Sequence, residues 1–348
     1  MMQQLRAALT RNAKQLSPIT ISWAMGDFSS SPPAQAIRDL RLTVARPEDF
    51  FFKSHFRLSW QDGQVHVFQS GANNRWPGEW AFDGTILYYG ALDTLQLFKH
   101  RISNLAKTDP DSGCIEQSYL EEAGLRIPAL NKELGKKKDA ESVLLVLLDG
   151  GGKLRSIAVV DSAGHTLVRV AVVAPDPDHV GAVKMNPAKY EAHLRNGANS
   201  EELIQTELRA LRAMREGPKE RIFEFDFDPS RGYAVVRRQE RYDEGRVIVR
   251  VTNDDFQRVK GRDVWLPYTS KIEFFTWPSI FGEFLKTPLF LRNYQVSKVD
   301  TSPISDDRFS LNYTQPGAEV FGDVDDIPAV KKDKPEPPSQ PTAPDAQF

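Results

Sequence analysis

FDPSRGYAVVRRQERYDEGRVIVRVTNDDFQRVKGRDVWLP, residues Phe227–Pro267, is the stretch on which the reading of the chain turns. It is crowded with ionisable groups, yet Tyr233, Val235, Val247, Val249, Val251 and Val264 run through it. Either the acids and bases gather into an active site, or they form the wet face of a sheet. Period two favours the sheet, because successive side chains of a strand point to opposite faces. Just upstream, IFEFDFD sets Phe223, Phe225 and Phe227 against Glu224, Asp226 and Asp228. Asp226, Asp228, Asp254 and Asp255 are therefore read as solvent-facing carboxylates rather than as acid/base or metal-binding groups. Arg237, Arg238, Arg241 and Arg250 on neighbouring strands are their cross-strand partners. Asp243-Glu244-Gly245 turns one strand back into the next, within an all-β section spanning about 222–313.

The same alternation continues outward. ITISWAMG, HFRLSW, QVHVFQSG and TILYYG, all within the first ninety residues, are short strand-like runs, with Asp62-Gly63 and Asp83-Gly84 as the clearest turns. In the middle, SVLLVLLDGGGKLRSIAVVDSAGHTLVRVAVVAP is read as three strands, joined at Asp149–Gly152 and Asp161–Gly164, and its apolar content suggests central positions in a sheet. Two helical stretches interrupt the strands. SYLEEAGLRIP starts at Ser118 and has Gly124 near its end. SEELIQTELRALRAMREGP begins at a capping Ser200, has Glu201 and Glu202 at its positive end, and stops at Gly217-Pro218. Its stripe of Leu203, Ile204, Leu208 and Leu211 must cover something apolar. An amphipathic helix opens the chain, with Leu5, Leu9, Ala13 and Leu16 on one face and Pro18 ending it. From Asp325 the chain is rich in proline and charge, and residues 325–348 are expected to be a disordered tail on a domain covering 1–324.

The chain has 348 residues, 40% of them hydrophobic, with 20 Phe and 6 Trp, a supply that suits half-buried strands. A formal charge of −2 offers no general attraction to nucleic acid or anionic membrane. The single cysteine, Cys114, excludes an internal disulfide and a thiolate metal cluster. No secretory leader is read at the N-terminus, and VLLVLL at 143–148 falls far short of the ~20 apolar residues that a membrane helix needs. His55, His66, His100, His165, His179 and His193 form no H-E-x-x-H pair, and there is no G-x-S-x-G elbow. DGGGKL lacks the spacing of a phosphate loop, and the basic run KELGKKKDAE lacks interleaved aromatics. Neither a cofactor nor a metal is expected. RWPGEWAFDG carries Trp76, Trp80 and Phe82. TWPSIFGEFLKTPLF carries Trp277, Ile280, Phe281, Phe284 and Leu285 in a Pro/Gly-interrupted segment. That segment is either a loop covering the core or an apolar flap over a cavity, with Phe281 and Phe284 as its tip.

Three stretches together resemble the LolA/LolB-like outer-membrane lipoprotein-sorting superfamily. They are the opening ALTRNAKQLSPITISW, the closing GYAVVRRQERYDEGRVIVRVTNDDFQRVKGRDVWLPYTSKIEFF, and ISDDRFSLNYTQPGAEVFGD after it. The resemblance implies a mainly β fold: a curved antiparallel sheet forming an unclosed half-barrel, with helices acting as a lid. It implies a non-catalytic binder of lipid, lipoprotein acyl chains or another hydrophobic ligand, in the periplasm or elsewhere in the cell envelope. The chain departs from the family in a long helical insert around 108–217, in having no lipobox cysteine, and in offering no match to the family's lid-gating arginine. Candidate cavity residues are Trp23, Phe56, Trp60, Trp80, Tyr88, Phe223, Phe225, Trp265 and Phe274. Two other readings stand beside this one. One is an envelope protein-interaction or sensory module on the same fold with a filled interior. The other is a hydrolase, which would need His55 or His66 within hydrogen-bond reach of an acid in a pocket.

Overall fold

A computed structural model describes residues 1–29, 53–71, 78–91, 95–108, 118–162, 164–197, 200–276, 287–312 and 318–322. The first strands are β1 (Ile19–Ser29), β2 (Lys53–Gln61), β3 (Gln64–Gly71), β4 (Gly78–Phe82), β5 (Ile86–Ala91) and β6 (Gln96–Arg101). Two short strands follow, β7 (Leu125–Arg126) and β8 (Glu141–Ser142), which pair only with each other. The rest are β9 (Lys153–Ser162), β10 (His165–Pro175), β11 (Glu220–Asp228), β12 (Ala234–Arg241), β13 (Val247–Arg258), β14 (Trp265–Phe274), β15 (Phe290–Asp300) and β16 (Glu319–Gly322). Fourteen of these strands make one sheet in the order β16-β6-β5-β4-β3-β2-β1-β15-β14-β13-β12-β11-β10-β9. Every pairing is antiparallel except that of β16 with β6, and the two ends do not meet. The architecture is an unclosed half-barrel.

Local chemistry makes the hairpins. Asp62 and Gly63, at φ 49° and 86°, form a two-residue turn whose twist matches the flanking strands. At the β4–β5 turn the Asp83 carboxylate accepts from the amides of Thr85 and Ile86, at 2.8 Å each, while Gly84 takes φ 104°.

The seven helices among the described residues are α1 (Met2–Lys14), α2 (Ile102–Thr108), α3 (Ser118–Glu122), α4 (Val143–Asp149), α5 (Pro177–Lys184), α6 (Pro187–Asn196) and α7 (Glu201–Glu216). Strand order explains what the covering helices do. β6 lies near one end of the sheet and β9 at the other, so the chain between them must cross a whole face. That crossover is the lid. Tyr119 and Leu120 from α3, then Ala123, Leu125, Ile127, Ala129 and Leu134, pack on Ile21, Trp23, Phe56, Leu58, Trp60, Val65 and Val67 of β1–β3. Toward β9 the lid is α1 and α4: Leu5, Leu9, Leu144 and Leu145 pack on Val168, Val170, Val172, Phe223, Phe225 and Phe227.

Three expectations need correction. VLLVLL is the helix α4, not a strand; such an apolar run fits either a buried strand or a buried helix, and its docking on β10 decides. β9, read as central, is the terminal strand of the sheet and is mostly exposed. The span 108–217 is not wholly helical, since β9 and β10 within it belong to the main sheet. α7 forms as its sequence indicates, with Ser200 Oγ accepting from the Leu203 amide, but it packs chiefly against α5 and α6. Its stripe therefore covers helices, and the lid is made by other elements. The proposed tail, and Phe281 and Phe284, lie outside the described residues.

Candidate functional site

The lidded face of the sheet, called inner below, carries a register row that crosses from dry core to surface. Leu58 pairs with Val67, Val67 with Trp80, Trp80 with Tyr89, Tyr89 with Phe98, and Phe98 with Phe321. Directly opposed residues on neighbouring strands share a face. Leu58 and Val67 are fully buried beneath the lid. Past them Trp80, Tyr89 and Phe98 are half-buried, and Phe321 is 40% exposed. The four rings touch in sequence, with centroids 5.4, 5.9 and 5.2 Å apart. The inner face thus ends, on the β4–β16 side, in a partly open aromatic strip. Nearer the Asp83–Gly84 turn, Phe82 and Leu87 are buried in one cluster with Leu134 of the crossover, so the strip is covered at that end.

The other candidate residues distribute as follows. Trp23 stacks on Phe56 at 5.2 Å and meets Tyr119 at 5.5 Å, and Tyr119 donates from its hydroxyl to the Pro267 carbonyl at 2.7 Å. Trp60 is fully buried in that cluster, and Phe274 packs at its margin. Phe223 and Phe225 belong to the second cluster, under α1 and α4. The interior beneath the lid is therefore packed with the protein's own side chains. Tyr88 lies on the outer face in a small cluster with Ala81, Leu97 and Leu311, its hydroxyl donating to Asp83 at 2.9 Å. Trp265 also faces outward, since its neighbour Leu266 is in the inner core. Trp80 alone among the candidates reaches the open strip. Its partners Tyr89, Phe98 and Phe321 were missed because they become a row only through pairing across four strands.

The charged residues in and just upstream of the opening stretch divide by face. On the outer face the Asp226 carboxylate accepts from Arg169 at 2.7 and 2.9 Å and lies 3.4 Å from Arg237, the expected cross-strand pairing. It is nonetheless buried, which corrects the expectation of a solvated group. Arg238 is on the inner face, opposite Phe225 and Val251. There it reaches Glu122 of α3 at 2.9 Å and Glu240 at 3.4 Å. Glu240 accepts from Arg221 at 2.9 Å, and Arg221 also holds Asp176 at 2.9 Å and Asp178 at 2.6 Å. Tyr242 donates to Asp176 at 2.7 Å. Burial pushes the Glu122 carboxyl up to about 7, against the opposing pull of Arg238. This chain of charges ties α3 and the start of α5 to the sheet.

His66 meets Glu79 at 2.6 Å on the outer face. The distance required by a hydrolase is satisfied, but His66 is buried and the turn Asp306–Phe309 packs on β3 and β4. His55 pairs with Ser70, whereas His66 pairs with Ser59, so the two histidines do not oppose each other. Among the described residues no group of three His, Cys, Asp or Glu could hold a metal. A cleft of about 720 Å³ lies between the end of α1 and the β13–β14 hairpin. Gln15, Ser17, Arg258, Val259, Lys260 and Asp263 line it, and Arg262 crosses to the Gln15 and Pro18 carbonyls at 2.6 Å. Among the described residues no helix is long and apolar enough to cross a membrane.

No protein-family model matches the sequence, and no curated protein matches it. Solved structures do. One similar structure is a LolA superfamily protein from Nitrosomonas europaea, 9% identical, covering 89% of this chain and 98% of that one, with a TM-score of 0.41. A DUF1329 family protein from Desulfovibrio piger is 10% identical over 89% of this chain and 96% of its own, at 0.39. A putative outer membrane lipoprotein-sorting protein domain from Vibrio parahaemolyticus is 7% identical over 88% and 94%, at 0.36.

Proposed function

We propose that the protein is a non-catalytic binder of an acyl chain or comparable hydrophobic ligand, held on the aromatic strip Trp80–Tyr89–Phe98–Phe321. Its proposed setting is the cell envelope, with lipid or lipoprotein acyl chains as the ligand class and lipoprotein transport as the role. The single observation that carries this reading is the strip itself: four rings in contact, continuous with a dry core, half-buried at Trp80, Tyr89 and Phe98 and exposed at Phe321. Contiguous apolar surface of this kind is costly to leave in water and marks an interaction site. An acyl chain laid along it gains about 0.8 kcal/mol per buried methylene, so eight methylenes offer ~6 kcal/mol before the cost of ordering the chain.

The packed interior favours a second reading, in which the same fold serves as a protein-interaction module. Trp23, Phe56 and Tyr119 fill the space that a ligand would take beneath the lid. Gentle native mass spectrometry of the purified protein, with lipid analysis of the extract, separates the two. An acyl species that co-purifies with the wild type and is lost from Phe98→Glu supports the carrier reading. So does fluorescence enhancement of a dansylated undecanoate that the same substitution abolishes, with thermal stability kept. A clean apo mass and no dye uptake would sink the carrier reading and leave the interaction module.

A further inference from the structure

The two edges of the sheet are unlike. At one end β16 is four residues long and pairs in parallel with β6. At the other, β9 runs for ten residues, pairs on one side only among the described residues, and contains no proline. Its inner-face residues continue the apolar rows of β10: Leu154 pairs with Val172, Ile157 with Val170 and Val159 with Val168. Those partners are buried, but Leu154 is 43% and Val159 55% exposed. Long, flat, apolar edge strands present unpaired amides and carbonyls to any second strand, and soluble proteins blunt them. The devices here lie toward the ends of the strand: Lys153, Arg155 and the irregularity beside it at one end, Asp161 at the other.

We infer that β9 docks antiparallel against β9 of a second copy of this chain, making one sheet continuous through two protomers. Ser162 and His165 close a two-residue turn, and in such hairpins the closing pair directs its amides and carbonyls at each other. By alternation Val160 and Ala158 also turn toward β10, so Ile157, Val159 and Asp161 present their backbone groups outward. A two-fold axis at Ala158 then pairs Ile157 of one copy with Val159 of the other, inner face to inner face. The same axis sets Arg155 opposite the other copy's Asp161, twice per dimer. The strand is self-complementary in apolar pattern and in charge, which is what an isologous contact requires. Arg155 already holds Asp243 at 2.6 Å, but both side chains are largely exposed and the guanidinium can bridge two carboxylates. The chain's own C-terminal residues are a poor occupant of this edge. They follow β16, at the opposite end of the sheet, and six of the last 21 are proline, which cannot donate to a ladder.

Sedimentation velocity on the full chain over a concentration series tests the pairing. The wild type should dimerise, and Val159→Lys should weaken the dimer by about tenfold or more, since each lysine replaces an apolar partner of the other copy's Ile157 and the two lysines lie on a diagonal across the seam. Arg155→Asp and Asp161→Arg should each weaken it by a similar factor, since each makes both cross-strand charge pairs repulsive. Mixed together, those two single variants should form a heterodimer, because every contact is then between opposite charges. A wild type that stays monomeric to high concentration overturns the inference. So does a dimer that Val159→Lys leaves intact, or the absence of any heterodimer in the mixture. Circular dichroism of each variant identifies a loss of association that is merely a loss of fold. Should Val159→Lys fail to fold, the charge-swap mixture still decides, as its residues are at the surface.

Discussion

Glu122→Gln should change how stability depends on pH, in a direction the geometry dictates. Glu122 is buried where α3 meets the sheet; its carboxyl titrates at about 7 rather than 4.5, because desolvation outweighs the attraction of Arg238. A carboxyl whose folded pKa is raised stabilises the fold fully below the unfolded value and loses that contribution as pH climbs through the folded value. Between about pH 4.5 and 7 the unfolded chain gives up this proton while the folded chain retains it. The wild type should therefore lose ~3 kcal/mol from this one group across the window, at 1.36 kcal/mol per pKa unit. Glutamine keeps the shape and an acceptor for Arg238 but cannot ionise. The backbone carbonyl of residue 122, which accepts from Asn253 at 2.8 Å, is untouched. Whatever constant offset the substitution brings, the variant should gain on the wild type by ~3 kcal/mol between pH 4.5 and 7.5, then run parallel to it. Urea denaturation of both proteins at half-unit intervals of pH measures that difference directly. Parallel curves throughout would refute the raised pKa. A wild type that gains on the variant with rising pH would show that Arg238 wins over burial.

Two further substitutions test the joint between lid and sheet. Gly124 sits at φ 80°, and a Cβ there would come within 2.3 Å of Val235 Cγ2. Gly124→Ala should therefore cost ~2–4 kcal/mol of unfolding free energy, from strain and overpacking together; a urea midpoint within error of the wild type would show that α3 can shift freely. Ser200→Ala removes the side-chain oxygen that accepts from the Leu203 amide and should cost about 1 kcal/mol. As α7 packs chiefly on α5 and α6, that cost should appear as faster amide exchange within 201–216 while β-sheet amides are unchanged.

Legible in the sequence is whatever is decided within a few residues. The Asp62-Gly63 turn, the Ser200 cap and the stop at Gly217 need no distant partner, and each forms as its sequence dictates. Parity along a strand was legible too, but not which parity faces the lid. Tyr88 and Tyr89 are adjacent and equally aromatic; pairing to Trp80 puts Tyr89 on the inner face and leaves Tyr88 outside. Arg237 and Arg238 divide in the same way, one onto the outer face with Asp226, the other into the interior with Glu122. The aromatic strip depends on three cross-strand registers at once, the last of them a parallel pairing with a four-residue strand near the end of the described chain. VLLVLL had no period to show, and only its docking on β10 makes it a helix.

The strand order also governs when the sheet can be completed. β1 is central, with β2 on one side and β15 on the other, so Thr20 pairs with both Ser59 and Asp300. The first pairing is local and is available early; the second joins the ends of nearly the whole described chain. Loop-closure entropy rises only slowly with loop length, so the cost of this seam is chiefly one of time: its reward comes after the intervening strands are in place. During synthesis the edge of β1 must wait, unpaired, until β15 has left the ribosome. The half of the sheet from β1 to β6 and the half from β9 to β15 are thus able to form as separate meanders before they are sewn together. A chain cut short before Phe290 would keep most of its strands and still lack the one that joins them.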